Sequence, residues 1–145
     1  MSLLDGNNEN VFDIELFYKF KKIGTGKKLL VIEDEKAKKL MAEEKGKDIE
    51  KLVTKWRFLS WKEQNEVMAI ASQAINPQTG EKQFNFLMYR DAIIKRCLRG
   101  WDITVNEQPV PVTPEAIDQL PGPVVMSLYQ KFETIIDYTE DEVGN

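Results

Sequence analysis

Asp48-Ile49-Glu50-Lys51-Leu52-Val53-Thr54-Lys55-Trp56 sets Ile49, Leu52, Val53 and Trp56 three or four residues apart. That spacing gathers the four on one helical face, so a short helix is expected here. The next stretch extends the helical reading. Ser60-Trp61-Lys62-Glu63 fits a capping box, in which the serine hydroxyl accepts from the Glu63 amide and the glutamate reaches back to the Ser60 amide. A helix therefore starts at Trp61, and Val67, Ile70, Ala71, Ala74 and Ile75 keep helical spacing until Asn76-Pro77-Gln78-Thr79-Gly80 breaks it.

Downstream, a helix from about Asn85 carries Leu87, Ile94 and Leu98 on one stripe and Phe86, Ile93, Cys97 and Trp101 on the adjoining one. An apolar surface this wide implies burial on more than one side, which makes this helix the expected centre of the core, ending where Gly100 can supply a left-handed residue. Asp102 to Val112 reads as extended around the turn Asn106-Glu107-Gln108-Pro109. Thr113-Pro114-Glu115 starts a short helix, because Thr caps, Pro tolerates the first turn and Glu suits the positive end of the helix dipole. Pro121-Gly122-Pro123 stops it. The last helix presents Val125, Leu128, Tyr129, Phe132, Ile135 and Ile136 as an amphipathic stripe that needs a partner surface.

Upstream, Ile14, Leu16, Tyr18 and Phe20 alternate with Glu15, Phe17 and Lys19, the period of a strand with one buried face. Leu29-Leu30-Val31-Ile32 follows the turn-prone Gly24-Thr25-Gly26, and the two runs read as a β-hairpin. Asp34 can cap a helix through Ala37, Leu40 and Met41 toward Gly46. The expected fold class is thus mainly α (α+β): a bundle of about five helices with an N-terminal β-hairpin and a short extended segment near residues 102–112. One mainly helical domain is expected over residues 11–138, with a flexible N-terminus at 1–10 and a flexible acidic tail at 139–145.

Composition narrows function by exclusion. The chain has no histidine, so it lacks the usual general base near neutral pH and the commonest metal ligand. Cys97 is the only cysteine, which rules out an intrachain disulfide, Cys-His catalysis and a zinc site of the Cys/His type. Amid apolar helix positions its thiol is expected to behave as a small buried hydrophobe. No catalytic, cofactor-binding or metal site is expected. Gly24-Thr25-Gly26-Lys27-Lys28 lacks the second glycine and the Ser or Thr of a phosphate loop. A net charge of −4 makes nucleic acid an unlikely partner, and the lysines at 19, 21, 22, 27 and 28 read as a solvated hairpin edge. No apolar run approaches the ~20 residues of a membrane span, and the N-terminus lacks the basic and apolar regions of a signal peptide. A cytoplasmic protein that binds other proteins is the expectation.

Six side chains are candidates for a protein interface: Trp61, Arg96, Arg99, Trp101, Tyr129 and Phe132. Each tryptophan sits at a helix end, where it either closes off the core with its indole N–H on a carbonyl or water, or anchors a partner. Arg96 and Arg99, with Lys95, either stabilise a helix C-terminus or recognise an acidic partner.

Leu59-Ser60-Trp61-Lys62-Glu63-Gln64-Asn65, Tyr89-Arg90-Asp91, Arg96-Cys97-Leu98-Arg99-Gly100-Trp101-Asp102 and the run from Pro109-Val110-Pro111-Val112-Thr113-Pro114-Glu115 to Leu120-Pro121 form a pattern over roughly Phe58 to Ile136. It resembles the small tail assembly chaperones of tailed bacteriophages. The resemblance implies a factor working in the host cytoplasm, with the tape measure protein and the tail tube protein as partners and a homo-oligomer as a further possibility. Its role would be to hold the long helical tape measure protein while the tube polymerises around it. It transfers no binding residue and does not extend to the N-terminal hairpin. The alternative from a different class is a structural virion subunit, a neck, tail-completion or baseplate component, whose hairpin edge would pair between subunits. A regulatory binding module, including one for nucleic acid, is a third.

Overall fold

The computed structural model describes residues 10–137. Apart from Asn10, the flexible ends expected at 1–10 and 139–145 lie outside the described residues.

Residues 50–57 form a strand, not the short helix expected over Asp48 to Trp56. β3 (Glu50–Arg57) pairs antiparallel with β1 (Val11–Ile23), from Val11 opposite Arg57 to Tyr18 opposite Glu50. Leu52, Thr54 and Trp56 point to one face and are buried, while Lys51 and Lys55 stay exposed. Leu52 and Trp56 stand four apart, a separation that satisfies a helical period and a strand period equally, and Thr54 hides the alternation because it is polar. Its hydroxyl donates to the Ile14 carbonyl at 2.7 Å and accepts from the Trp56 indole N–H at 2.7 Å, which is how a polar side chain is tolerated there.

β2 (Gly26–Ile32) flanks β1 on the other side, joined by a tight turn in which Gly24 adopts φ 59°, and β6 (Leu98–Trp101) pairs with β3, giving an antiparallel sheet of order β2-β1-β3-β6. Of the described residues 41% are helical and 31% lie in strands, so the fold is α+β and the expected mainly helical bundle is overturned. A non-local pairing accounts for the difference: the 48–56 segment gains its backbone partners from β1, some 40 residues earlier in sequence.

Among the described residues there are five helices. On the sheet face of Ile14, Leu16, Leu52 and Trp56 lie α2 (Trp61–Ala71), α3 (Phe86–Cys97), α4 (Pro114–Asp118) and α5 (Gly122–Ile136), which add Val67, Ile93, Ile94, Cys97, Ile117, Val124, Leu128, Tyr129 and Phe132 to one core. Phe132 stacks on Trp56 at 4.9 Å and on Phe12 at 5.9 Å. α1 (Asp34–Ala42) covers part of the opposite face, where Ala37 meets Phe17, Ile32 and Ile49. Phe17 is therefore buried, although its strand neighbours on that face are charged. Val124 rather than Ile136 faces the core from α5, and Ile136 is exposed.

Several local expectations need correction. α1 is capped at Glu33, with no side-chain bond, rather than at Asp34. α2 ends at Ala71, and Ala74–Ile75 forms a two-residue strand, β4, against β5 (Lys82–Gln83). α3 passes at Leu98 directly into β6, so Gly100 is a strand residue opposite Lys55 and not a left-handed helix end. The segment near 102–112, by contrast, is extended around a turn as expected: β7 (Thr104–Val105) pairs with β8 (Gln108–Pro109), turning at Asn106 (φ 52°) and Glu107 (φ 65°).

Candidate protein-binding surface

α3 is not the symmetric core helix that its two stripes suggest. Its C-terminal half buries Ile93, Ile94 and Cys97, whereas its first turn lies in solvent. Asn85 caps it, accepting from the amides of Leu87 at 2.9 Å and Met88 at 3.1 Å, and the Asn85 amide donates to the Ala71 carbonyl at the end of α2. These bonds fix a turn whose side chains Phe86, Leu87 and Met88 are all exposed, Leu87 by 62%. Exposed Phe84 lies 5.5 Å from the Tyr89 ring, and Phe86 lies 6.3 Å from it on a second contact.

Beside this turn is a groove of about 300 Å³ between α3, α4 and the start of α5, with Leu87, Ile94, Ile117, Leu120, Val125 and Met126 in its lining. Arg90, Asp91 and Asp118 contribute polar groups. Lys95 ties α3 to α4, with its ammonium 3.1 Å from Asp91 and 2.8 Å from Asp118. Hydrogen bonding to Asp118 first, and then to Asp91, raises its pKa above the ordinary lysine value. Leu87 belongs both to the groove lining and to the exposed aromatic turn, so the two adjoin. Contiguous aromatic, leucine and methionine surface of this kind marks protein-binding sites.

The six candidates from the sequence scatter. Trp61, the first residue of α2, is 76% exposed and buries nothing of the core. Trp101 does close the core, and its indole N–H donates to the Val110 carbonyl at 2.6 Å. Arg96 is half-buried and reaches Glu66 on α2 at 2.5 Å, joining two helices rather than capping one. Arg99 is exposed on β6. Tyr129 and Phe132 are core residues and unavailable as an interface in the folded chain, because the partner their stripe needed is this chain's own sheet. The structure does not bring the six together.

Sequence reasoning missed Phe84, Met88 and Met126 and placed Phe86 and Leu87 inside. A signal was present. Three successive apolar residues right after a cap span about 200° of a helix, and no single packed face can accept all three.

Near Trp61 the capping box is complete, and a partner unseen in the sequence completes it. Arg57 is 6% exposed and grips Glu63 with two parallel bonds, Nη1 to Oε1 at 2.9 Å and Nη2 to Oε2 at 2.5 Å. Arg57 first, with help from Ser60, holds the Glu63 carboxyl down at about 2. The Arg57 Nε is buried without a partner among the described residues. Cys97 is fully buried, and burial pushes its thiol up to about 12, which leaves no thiolate for chemistry near neutral pH. Among the described residues no group of three His, Cys, Asp or Glu side chains could hold a metal ion, and no helix is long and apolar enough to cross a membrane. Compared with known proteins, the chain matches no family model, and no curated protein or solved structure is significantly similar to it.

Proposed function

We propose that this chain is a non-catalytic protein-binding factor that assists phage tail assembly in the host cytoplasm, holding the tape measure protein and promoting polymerisation of the tail tube protein. The observation that carries the binding part is the exposed run Phe84 to Met88 beside the α3–α4–α5 groove. A groove lined by Leu87, Ile94, Ile117, Leu120, Val125 and Met126 suits the apolar face of an amphipathic helix, and a long helical client offers many such faces. The assembly part rests on the sequence pattern between Phe58 and Ile136, which resembles tail assembly chaperones.

Titration of the purified chain with helical segments of a tape measure protein tests it. Binding is expected, and Leu87→Asp with Phe86→Asp is expected to weaken it at least about tenfold, the loss of one or two interface anchors. Unchanged binding in that variant overturns the assignment of the surface. The alternative of a permanent virion subunit draws on β2, whose outer edge has no strand partner among the described residues. Mass spectrometry of purified particles separates the two readings, because a chaperone is absent from the finished particle and a subunit is abundant there.

A further inference from the structure

β2 is an outer strand of its sheet, and among the described residues no strand pairs with its far edge. Edge strands are usually guarded against pairing by lysine, proline or a bulge placed along them. In β2 the two lysines, Lys27 and Lys28, stand at the hairpin end, and the pairing with β1 runs without a register shift. The four residues that follow are Leu29-Leu30-Val31-Ile32. Most of the edge therefore offers apolar side chains and backbone groups with nothing to turn a partner strand away.

The register with β1 sorts the neighbouring side chains by face. Lys19 stands opposite Leu30 and Lys21 opposite Lys28, on the face of Phe17 and Ile32 that α1 partly covers. Tyr18 stands opposite Val31 and Phe20 opposite Leu29, on the face of the main core. Each face is hollow beside the edge. Between β2 and α1 lies a cleft of about 440 Å³ with Leu30, Ile32 and Leu40 in its lining and Lys19, Lys36 and Glu33 as its charged groups. On the other face Val31 and Ile32 border a hollow of about 450 Å³ against α5, with Ser127 and Gln130 in its lining. A strand added about 4.8 Å beyond β2 thus has room for side chains on both faces.

Charge decides what sort of strand fits. Among the described residues no ion pair holds Lys19, Lys21, Lys28 or Lys36, and the sequence has no acid between Glu15 and Glu33. Lys21 and Lys28 are directly opposed like charges, an arrangement that destabilises a ribbon and that acids supplied from outside would relieve. We infer that β2 receives an extended segment of another protein in which acidic and apolar residues alternate, paired to its edge as a further strand. The acids fall on the α1 face, opposite Lys28 and Leu30 and beside Lys19 and Lys36. The apolar residues fall on the other face, beside the half-buried Leu29 and Val31. Backbone bonds give such a segment its affinity, and the alternation gives it specificity. A polynucleotide fits less well: it has no strand backbone to pair with the edge, the patch holds lysine without arginine, and the net charge of −4 repels phosphate. The site is built on β1, β2 and α1, apart from the α3–α4–α5 groove, and does not rest on the client-binding reading.

Binding of a synthetic peptide of alternating glutamate and valine, as long as the seven residues of β2, to the full chain tests this by fluorescence anisotropy of a dye on the peptide. A second peptide with its glutamates gathered in one block carries the same charge without the alternation. The alternating peptide is expected to bind at least about tenfold more tightly than the block peptide. Lys28→Glu with Lys36→Glu, both at exposed positions, is expected to weaken it by about tenfold or more. That variant is expected to take up an alternating lysine–valine peptide instead, which also shows that it is folded. Amide hydrogen exchange at residues 29–32 is expected to slow when the glutamate–valine peptide is bound, as backbone pairing requires and attraction between charges alone does not. Failure of the alternating peptide to bind, equal binding of the block peptide, unchanged exchange at 29–32, or loss of peptide binding in Leu87→Asp overturns the proposal. Duplex DNA bound without peptide binding, and lost in the double variant, assigns the lysines to nucleic acid instead. Protection at 29–32 that grows with protein concentration in the absence of peptide assigns the edge to a second copy and equally overturns it.

Discussion

Glu63→Gln is the most informative single change in the fold. Glutamine keeps the length of the side chain and an oxygen for the Ser60 amide, so the substitution removes charge while preserving much of the cap. The Arg57 guanidinium then remains buried, 6% exposed and with its Nε already unpartnered, opposite a neutral amide. Breaking a fully buried ion pair costs roughly 3–5 kcal/mol. The fall of the Glu63 pKa from 4.5 to about 2 corresponds to ~3 kcal/mol at ~1.36 kcal/mol per pH unit, and water over the quarter-exposed carboxylate reduces that to about 2 kcal/mol. A loss of about 2–4 kcal/mol at pH 7 is therefore expected, or a melting temperature lower by about 8–16 °C at roughly 4 °C per kcal/mol. The sign with pH is fixed by the depressed pKa: the stabilisation is complete above the unfolded value of about 4.5 and disappears as pH falls through 2. Urea unfolding followed by tryptophan fluorescence should give a wild-type advantage that is full at pH 7, shrinks below about pH 4.5 and is nearly gone at pH 2. A difference under about 0.5 kcal/mol at pH 7, or one that does not change with pH, refutes the assignment of a charge-dependent Arg57–Glu63 clamp.

Thr54→Val preserves shape and removes the hydroxyl that accepts from Trp56 and donates to Ile14; a loss of about 1–3 kcal/mol is expected by denaturant titration, because the buried indole N–H is left unpaired. Phe132→Ala, at a ring 2% exposed and stacked between Trp56 and Phe12, should cost about 3–5 kcal/mol in the same assay. Cys97 should resist a disulfide reagent in native buffer at pH 8 and react at once in denaturant, since its thiol is fully buried with a pKa near 12. Rapid labelling of the native chain would contradict that burial.

Local chemistry was legible wherever the cause was local. The Ser60–Glu63 capping box and the Thr113-Pro114 helix start are both present as bonds, because each depends on residues within four positions. The turn at Gly24 falls in the same group. The binding surface was less legible. Phe86 and Leu87 have the composition of core residues, and only the way α3 enters from β5 and hands over to β6 leaves its first turn without a layer above it. Tyr129 and Phe132 erred the other way, since a stripe that needs a partner does not say whether that partner belongs to the same chain.

By itself the sequence determined where most helices begin, that β1 and β2 form a hairpin, and that histidine chemistry and a disulfide within this chain are excluded. These follow from residue identity and short-range hydrogen bonding. Tertiary structure alone decided that residues 50–57 extend as a strand, that α3 stops at Cys97, and that Arg57 meets Glu63. Leu52 and Trp56 fit either period, and the balance was tipped by backbone groups of β1 and β6, far away in sequence and brought alongside only when the whole sheet forms.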